Sequence, residues 1–206
     1  MEQIMKSRSF ISVVSILFGL SSLAFAQNSV SSDIHIAKGK KVSRNISTVS
    51  GDVFVGSGAR IKGGVTAVSG DIEIGSKAFV QNVEVVSGNI SIGKGASAAQ
   101  LETVSGDIHL YEKSGVSRSI ETVSGDVNCD SGSDITKNII TVSGDIELDD
   151  SRLRGDLKTV SGDISLFNGS MIDGDIIINR KSNVVLFHDG KLKIIIDMNS
   201  VVKGSI

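Results

Sequence analysis

The sequence predicts an all-β fold, a single-stranded parallel β-helix (β-solenoid) of 18–19 residues per coil and about nine to ten coils. Three observations predict it. The stretch Thr103-Val104-Ser105-Gly106-Asp107-Ile108 recurs in near-copies at Thr48 to Val53, Ala67 to Ile72, Val85 to Ile90, Thr122 to Val127, Thr141 to Ile146 and Thr159 to Ile164, with its glycines at 51, 70, 88, 106, 125, 144 and 162. A fixed period this short, in units that cannot bury an apolar face alone, marks a stacked repeat. The same positions are aliphatic in coil after coil. Finally, the 206 residues contain 23 glycines and no proline, which suits a ladder in which every N–H needs a carbonyl in the adjoining coil.

Taken in order, the chain opens with Lys6 and Arg8, an apolar run from Phe10 to Leu20, and Ala24-Phe25-Ala26. This is the pattern of a secretory signal peptide with an A-x-A cleavage site, so residues 1–26 are expected to be removed. The run is interrupted by Ser12, Ser15 and Gly19 and is short for a membrane span. No later stretch is apolar enough to cross a bilayer, and no cysteine follows the cleavage site to carry a lipid. Residues 27–206 then form the solenoid domain, with clear repeats over 30–176 and divergent coils over 177–206. The first coil starts directly after the leader, with Ser32 in the glycine slot, Ile34 and Ile36 following, and then Val42 and Ile46.

The coil Thr103 to Glu121 serves as template. Alternation places Val104, Gly106, Ile108 and Leu110 on one side, and Ser105, Asp107 and His109 on the other, which is the period of a strand with one buried face. Five inward columns follow. The first contains the motif valines 49, 68, 86, 104, 123, 142 and 160. The second runs Val53, Ile72, Ile90, Ile108, Val127, Ile146, Ile164, and the third Val55, Ile74, Ile92, Leu110, Cys129, Leu148, Leu166. The fourth runs from Ile61 through Val116 to Ile172, and the fifth from Val65 through Ile120 to Ile176. β-Branched residues dominate, as they do on pleated surfaces. Each motif glycine has two possible roles, an inward position without room for Cβ or a bend needing positive φ. Beyond 176, Val184, Leu186, Leu192 and Ile196 continue the second to fifth columns, and Val201 to Ile206 resembles Val85 to Ile90. About nine and a half coils at about 4.8 Å each give a rod on the order of 45 Å long.

The Val-Ser-Gly-Asp-Ile/Val repeats resemble a widespread bacterial family of unknown function whose members carry an adhesin-type domain and are exported or surface-associated. Ile74 to Val80, with Val55 to Ile61 and Ile92 to Ala98, is similar to bactofilins, polymer-forming right-handed β-helices whose filaments grow end to end. That second resemblance implies a right-handed coil and a capacity for self-stacking. Neither family implies a catalytic residue or a cofactor.

Composition narrows the classes further. Without Glu2, Lys6 and Arg8 the chain keeps 19 basic and 22 acidic residues, a net charge of −3, so nucleic acid is not an expected partner. Cys129 is the one cysteine and cannot make an intramolecular disulfide; it fits the third apolar column as an inert core residue. The aspartates of the motif, with Asp33 below and Asn89 in the series, form an outer column. A calcium string along Asp52, Asp71, Asp107, Asp126, Asp145 and Asp163 is the metal alternative. The tandem-glycine metal-binding nonapeptide is absent, and the expected role of the column is Asx-type bonding of each carboxylate to hydroxyls and backbone N–H groups. No metal and no cofactor are expected.

Thr48, Thr103, Thr122, Thr141 and Thr159 resemble the hydroxyl ladders of ice-binding β-helices, but Ala67 and Val85 interrupt them, and cross-coil stabilisation is the expectation. His35 and His109 share an outward slot four coils apart, too far to share a metal, and His188 lies in a divergent coil. A β-helical polysaccharide lyase or hydrolase would need long loops and aromatic platforms. The mature chain offers Tyr111, Phe54, Phe79, Phe167 and Phe187. The expected function is therefore non-catalytic: an exported scaffold of the cell envelope or surface, adhesin-like. Its partners would be itself, stacked end to end, or an envelope polysaccharide or protein. A bactofilin-like filament and a carbohydrate-active enzyme are the alternatives.

Overall fold

A computed structural model gives the fold of residues 27–29, 31–178, 183–186, 194–196 and 201–204, with side-chain environments described over 31–178. The candidate leader 1–26, His188, Phe187 and Leu192 lie outside the described residues. All described elements are strands and turns, and all described pairing is parallel.

Each coil has three short strands. In the coil that begins at Ile120, Ile120–Ser124 is followed by Val127–Cys129 and Asp134–Ile135 before the next coil starts at Ile139. The strands equivalent to Val127–Cys129 form one ten-stranded parallel sheet, from Ile34–Ile36 at one edge to Val201–Gly204 at the other. The strands equivalent to Ile120–Ser124 and Asp134–Ile135 belong to a second sheet of sixteen strands, joined where Phe79–Ser87 and Ser97–Ser105 run unbroken through the bend between them. The continuous part makes about eight turns of solenoid.

Registry is strict. Ile108 lies over Val127 and Val127 over Ile146; Ile120 lies over Ile139 and Ile139 over Leu157. The second to fifth columns are the core, with Ile72, Ile90, Ile108, Leu110, Ile120 and Ile135 fully enclosed. Like stacked on like lets β-branched side chains interlock, and each large aliphatic stabilises by about 1.5–3 kcal/mol through burial.

The first column is different. Thr122 is buried and Val123 is half-exposed, because Ile120 and Thr122 point inward from one strand while Glu121 and Val123 point outward. Ser124, Gly125 and Asp126 then turn a corner, and alternation restarts with Val127 and Cys129 inward. Counting by twos across the glycine therefore inverts the phase of the preceding strand. The motif valines form an outer stripe, and Thr48, Ala67, Val85, Thr103, Thr122, Thr141 and Thr159 form an inner column. The threonine ladder is thus interior, not displayed.

Coil length varies at two places. Between Val80 and Val83, and between Ala98 and Leu101, the bend is one residue shorter than between Ile61 and Val65, and the strand runs straight through. In the coil from Gly144 to Gly162 the residue is lost instead at Asp149-Asp150-Ser151, where Asp150 adopts φ 44. Beyond the clear repeats the frame shifts: Ile194 pairs with Ile176 and Ile196 with Ile178, and Val202 pairs with Val184. Ile194, not Ile196, therefore holds the fifth column, and Val202 continues the second column in the last described strand, Val201–Gly204.

A second interior feature accompanies the core. At the turn after the third column a small residue is buried in seven successive coils, Ala59, Ala78, Ala96, Ser114, Ser133, Ser151 and Ser170. Ser133, Ser151 and Ser170 return their hydroxyls to backbone carbonyls; Ser170 Oγ donates to Leu148 O and Phe167 O, both at 2.8 Å.

Candidate functional site

The Ser-Gly-Asp corner is the most regular surface of the molecule. Strand registry holds Ser105, Ser124, Ser143 and Ser161 in one row, with the glycines and aspartates beside them along an open furrow parallel to the solenoid axis. Glycine is dictated by close approach. A Cβ on Gly144 would lie 2.0 Å from the carbonyl oxygen of Gly125, and one on Gly125 would lie 2.0 Å from that of Gly106. Gly51, Gly70, Gly88 and Gly106 also hold φ between 143 and 147, so both roles open in the sequence operate at these four.

The aspartate column is a hydrogen-bonded ladder. The backbone N–H of Asp52 donates to Asp33 Oδ1 at 2.9 Å, that of Asp71 to Asp52 at 2.9 Å, and that of Asn89 to Asp71 at 2.7 Å. It continues through Asp107 to Asn89, Asp126 to Asp107, Asp145 to Asp126 and Asp163 to Asp145, at 2.7–2.9 Å. Each side chain thus caps the corner N–H of the next coil, a donor that a straight ladder would have paired. Asn89 does the same work as its charged neighbours, because one acceptor oxygen is all that the bond requires. Among the described residues no group of three or more His, Cys, Asp or Glu side chains could hold a metal ion.

A second ladder of the same kind stands at the bend before the long strand, and sequence reasoning missed it. Gly64 N donates to Asn45 Oδ1, Asp156 N to Asn138 Oδ1 and Asp175 N to Asp156 Oδ1. The Asp175 N–H, with Lys158 at 3.1 Å, holds the Asp156 carboxyl below its ordinary range. Its signal was present in the repeat alignment, but Gly64, Asn82, Gln100 and Ser119 occupy the same slot and hide it.

The remaining candidates are dispersed. His35 stacks on Phe54 at 4.8 Å, four strands away in the sheet from His109, which stacks on Tyr111 at 4.2 Å and meets Asp130 Oδ1 at 3.0 Å. Cys129 is buried in the third column, and desolvation, with Asp130 nearby, pushes its thiol far up. Surface ion pairs such as Arg154 with Asp134 and Arg152 with Asp173 link neighbouring coils and add little individually.

One cluster had no sequence forecast. Glu84, Glu102 and Glu121 are consecutive partners in the ladder, so three glutamates stack on the outward side beside the valine stripe. Glu102 is 7% exposed and Glu121 4%. Glu102 accepts a hydrogen bond from Gln100 Nε2, whereas Glu121 Oε2 is enclosed without a hydrogen-bond partner. Desolvation, with Glu102 adding repulsion, raises the Glu121 carboxyl to about 7; desolvation also raises Glu84.

With the repeat geometry in place, the comparison with known families decides membership: the model of the Toastrack DUF4097 family matches residues 81–204. The chain belongs to that family. The match covers the later Ser-Gly-Asp coils and reaches into the divergent ones, and the Toastrack domain, whose function is unknown, is solenoid-like as well. No curated protein and no solved structure matches the chain.

Proposed function

We propose that this Toastrack chain is an exported, non-catalytic scaffold of the cell envelope or surface, adhesin-like in displaying a regular face from a stiff rod. The observation that carries the reading is the length of its connections: within 31–178, strands are joined by only two to four residues. Loops this short give one registered stack and leave the Ser-Gly-Asp furrow open, whereas a catalytic groove needs walls that exclude water and converge polar groups. The pattern of residues 1–26 supports export, and the Val-Ser-Gly-Asp repeats support the adhesin-type comparison.

Two measurements test this reading. The chain recovered from periplasm, surface or medium should begin at Gln27; retention inside the cell with Met1 intact would overturn the export half. Envelope polysaccharides incubated with the chain should release no reducing sugar and gain no unsaturated-uronate absorbance, and turnover in either assay would overturn the scaffold half. Bactofilin-like filament growth is a second reading. It is favoured by the near-identity of the coils, since the edge that one coil presents to the next is one that a second copy would also fit. Sedimentation that stays monomeric over a hundredfold concentration range would remove it.

A further inference from the structure

The outward positions of the two sheets follow different rules. On the ten-stranded sheet the outer column changes character in every coil, with histidine, phenylalanine, glutamate, serine and asparagine all present, as a solvated face permits. On the long strand the outer column is valine seven times in seven, and Val49 is 38% exposed. Preference for strand alone would accept threonine or isoleucine there. Beside this stripe, two residues back along each strand, lies the Glu84–Glu102–Glu121 stack. It includes a carboxylate oxygen that is enclosed and lacks a hydrogen bond. A buried carboxylate without a partner is costly, and an arriving cation would complete it.

We infer that this face is a docking surface for an amphipathic helix of another protein, carrying adjacent apolar and basic stripes and lying along the solenoid axis. The fit is periodic as well as chemical. A helix advances about 5.4 Å per turn and the coils about 4.8 Å, so side chains one turn apart stay within about 1.2 Å of register across the three glutamates. Lysines or arginines at i, i+4 and i+7 meet Glu84, Glu102 and Glu121 in turn, and the neighbouring helical positions lie on the valines. Glu84, half-exposed at one end of the stack, is the entry point. Glu102 and Glu121, on the same outward side but enclosed, shift about their own side-chain torsions to meet the cations that follow.

The probe is a labelled synthetic helix with one leucine stripe and one lysine stripe, titrated into the full chain by fluorescence anisotropy. Binding should be saturable and weakened by salt, and the triple variant Glu84→Gln, Glu102→Gln, Glu121→Gln should lose at least tenfold in affinity. Val123→Asp should lose a similar amount. The control Glu73→Gln, Glu147→Gln on the other sheet removes exposed charge from the opposite outer column and should stay within twofold. Glutamine keeps the shape of glutamate, and circular dichroism melting of each variant confirms folding. An equal loss in the control pair would show mere attraction to an acidic chain and overturn the proposal, as would no saturable binding. A dimer in sedimentation velocity that Val123→Asp dissolves would make a second copy the occupant and overturn it too.

Discussion

At the Ser-Gly-Asp corner the glycine lies against the backbone of the neighbouring coil, whereas Gly58, at the turn after the third column, stands clear. Gly58 has φ +68, and a Cβ there would meet nothing within 4 Å. The same slot is Lys77 and Lys113 in other coils, each with φ 58, so the chain itself tolerates side chains there. Among the described residues no side chain stands in the corner slot above another coil; Ser32 occupies it in the first, where no described coil lies beneath. One glycine is chosen for a dihedral angle and can be replaced at modest cost. The other is chosen for the absence of an atom and cannot.

The largest expected effect breaks or upholds that distinction directly. Gly144→Ala puts a methyl 2.0 Å from the Gly125 carbonyl oxygen, so two coils must separate, at about 3 kcal/mol or more. Gly58→Ala needs only a left-handed alanine, at about 1 kcal/mol. Urea unfolding of the two variants should differ accordingly, and equal losses would show that close packing at the corner is not what selects glycine.

The flat strand between the corners provides a contrast, since its sensitivity is to charge rather than to space. The folded pKa of Glu121, about 7, lies above its ordinary 4.5. Its contribution is therefore fully present below about 4.5 and lost as pH rises through about 7, an effect of about 1–3 kcal/mol. The groups facing it are Glu102 on one side and Ile140 on the other, with Glu84 beyond Glu102. Melting temperature should fall between about pH 4.5 and 7 in the parent, and Glu121→Gln should flatten the curve. An identical slope in both would show that Glu121 does not titrate there.

The corner ladder comes next. Asp126→Ala leaves the Asp145 N–H without its 2.8 Å acceptor and should cost about 1–2 kcal/mol. Asp126→Asn keeps one oxygen and should cost far less, as Asn89 already suggests. If the asparagine variant were as unstable as the alanine one, the charge rather than the hydrogen bond would be holding the corner.

These contrasts also explain what the sequence could and could not reveal. Val127, Cys129, Ile135 and Ile139 were legible as core because aliphatics recur there at one spacing and a buried strand tolerates little else. Thr122 and Val123 were read in the wrong phase for a physical reason. Hydrophobicity favours the valine as the inward residue, and only the three-residue corner, which resets alternation, turns it out. The Asp126 bond was foreseeable in kind, since aspartate beside glycine caps backbone donors, but its partner one coil away needed coordinates. The Glu84–Glu102–Glu121 stack left no trace in the motif, because Ser47, Thr66, Ile140 and Lys158 fill the same slot elsewhere.

The inner threonines give a smaller effect of opposite sign. Thr122 Oγ1 is enclosed with no hydrogen-bond partner, as are the equivalent atoms of Thr48, Thr103, Thr141 and Thr159. Val85 holds the same inner column and is fully buried, so the site accepts a second methyl. Thr122→Val should stabilise by about 1 kcal/mol through loss of an unpaired hydroxyl. A loss of stability would show that the hydroxyl is paired, by water or otherwise.

The smallest expected effect concerns calcium at the same corner. Each motif aspartate from Asp52 to Asp145 spends Oδ1 on the next coil's N–H, which leaves Oδ2 and the flanking serine hydroxyl facing the furrow. Neighbouring carboxylates lie one coil apart, about 4.8 Å, whereas calcium draws six to eight oxygens to about 2.4 Å. Gathering them would pull Oδ1 off its donors and undo the ladder that Asp126→Ala is meant to test. Millimolar calcium, or a chelator, should therefore leave the melting temperature unchanged. A calcium-dependent rise of several degrees, lost in Asp126→Asn with Asp145→Asn, would make the column a metal site and the corner a ligand rather than a cap.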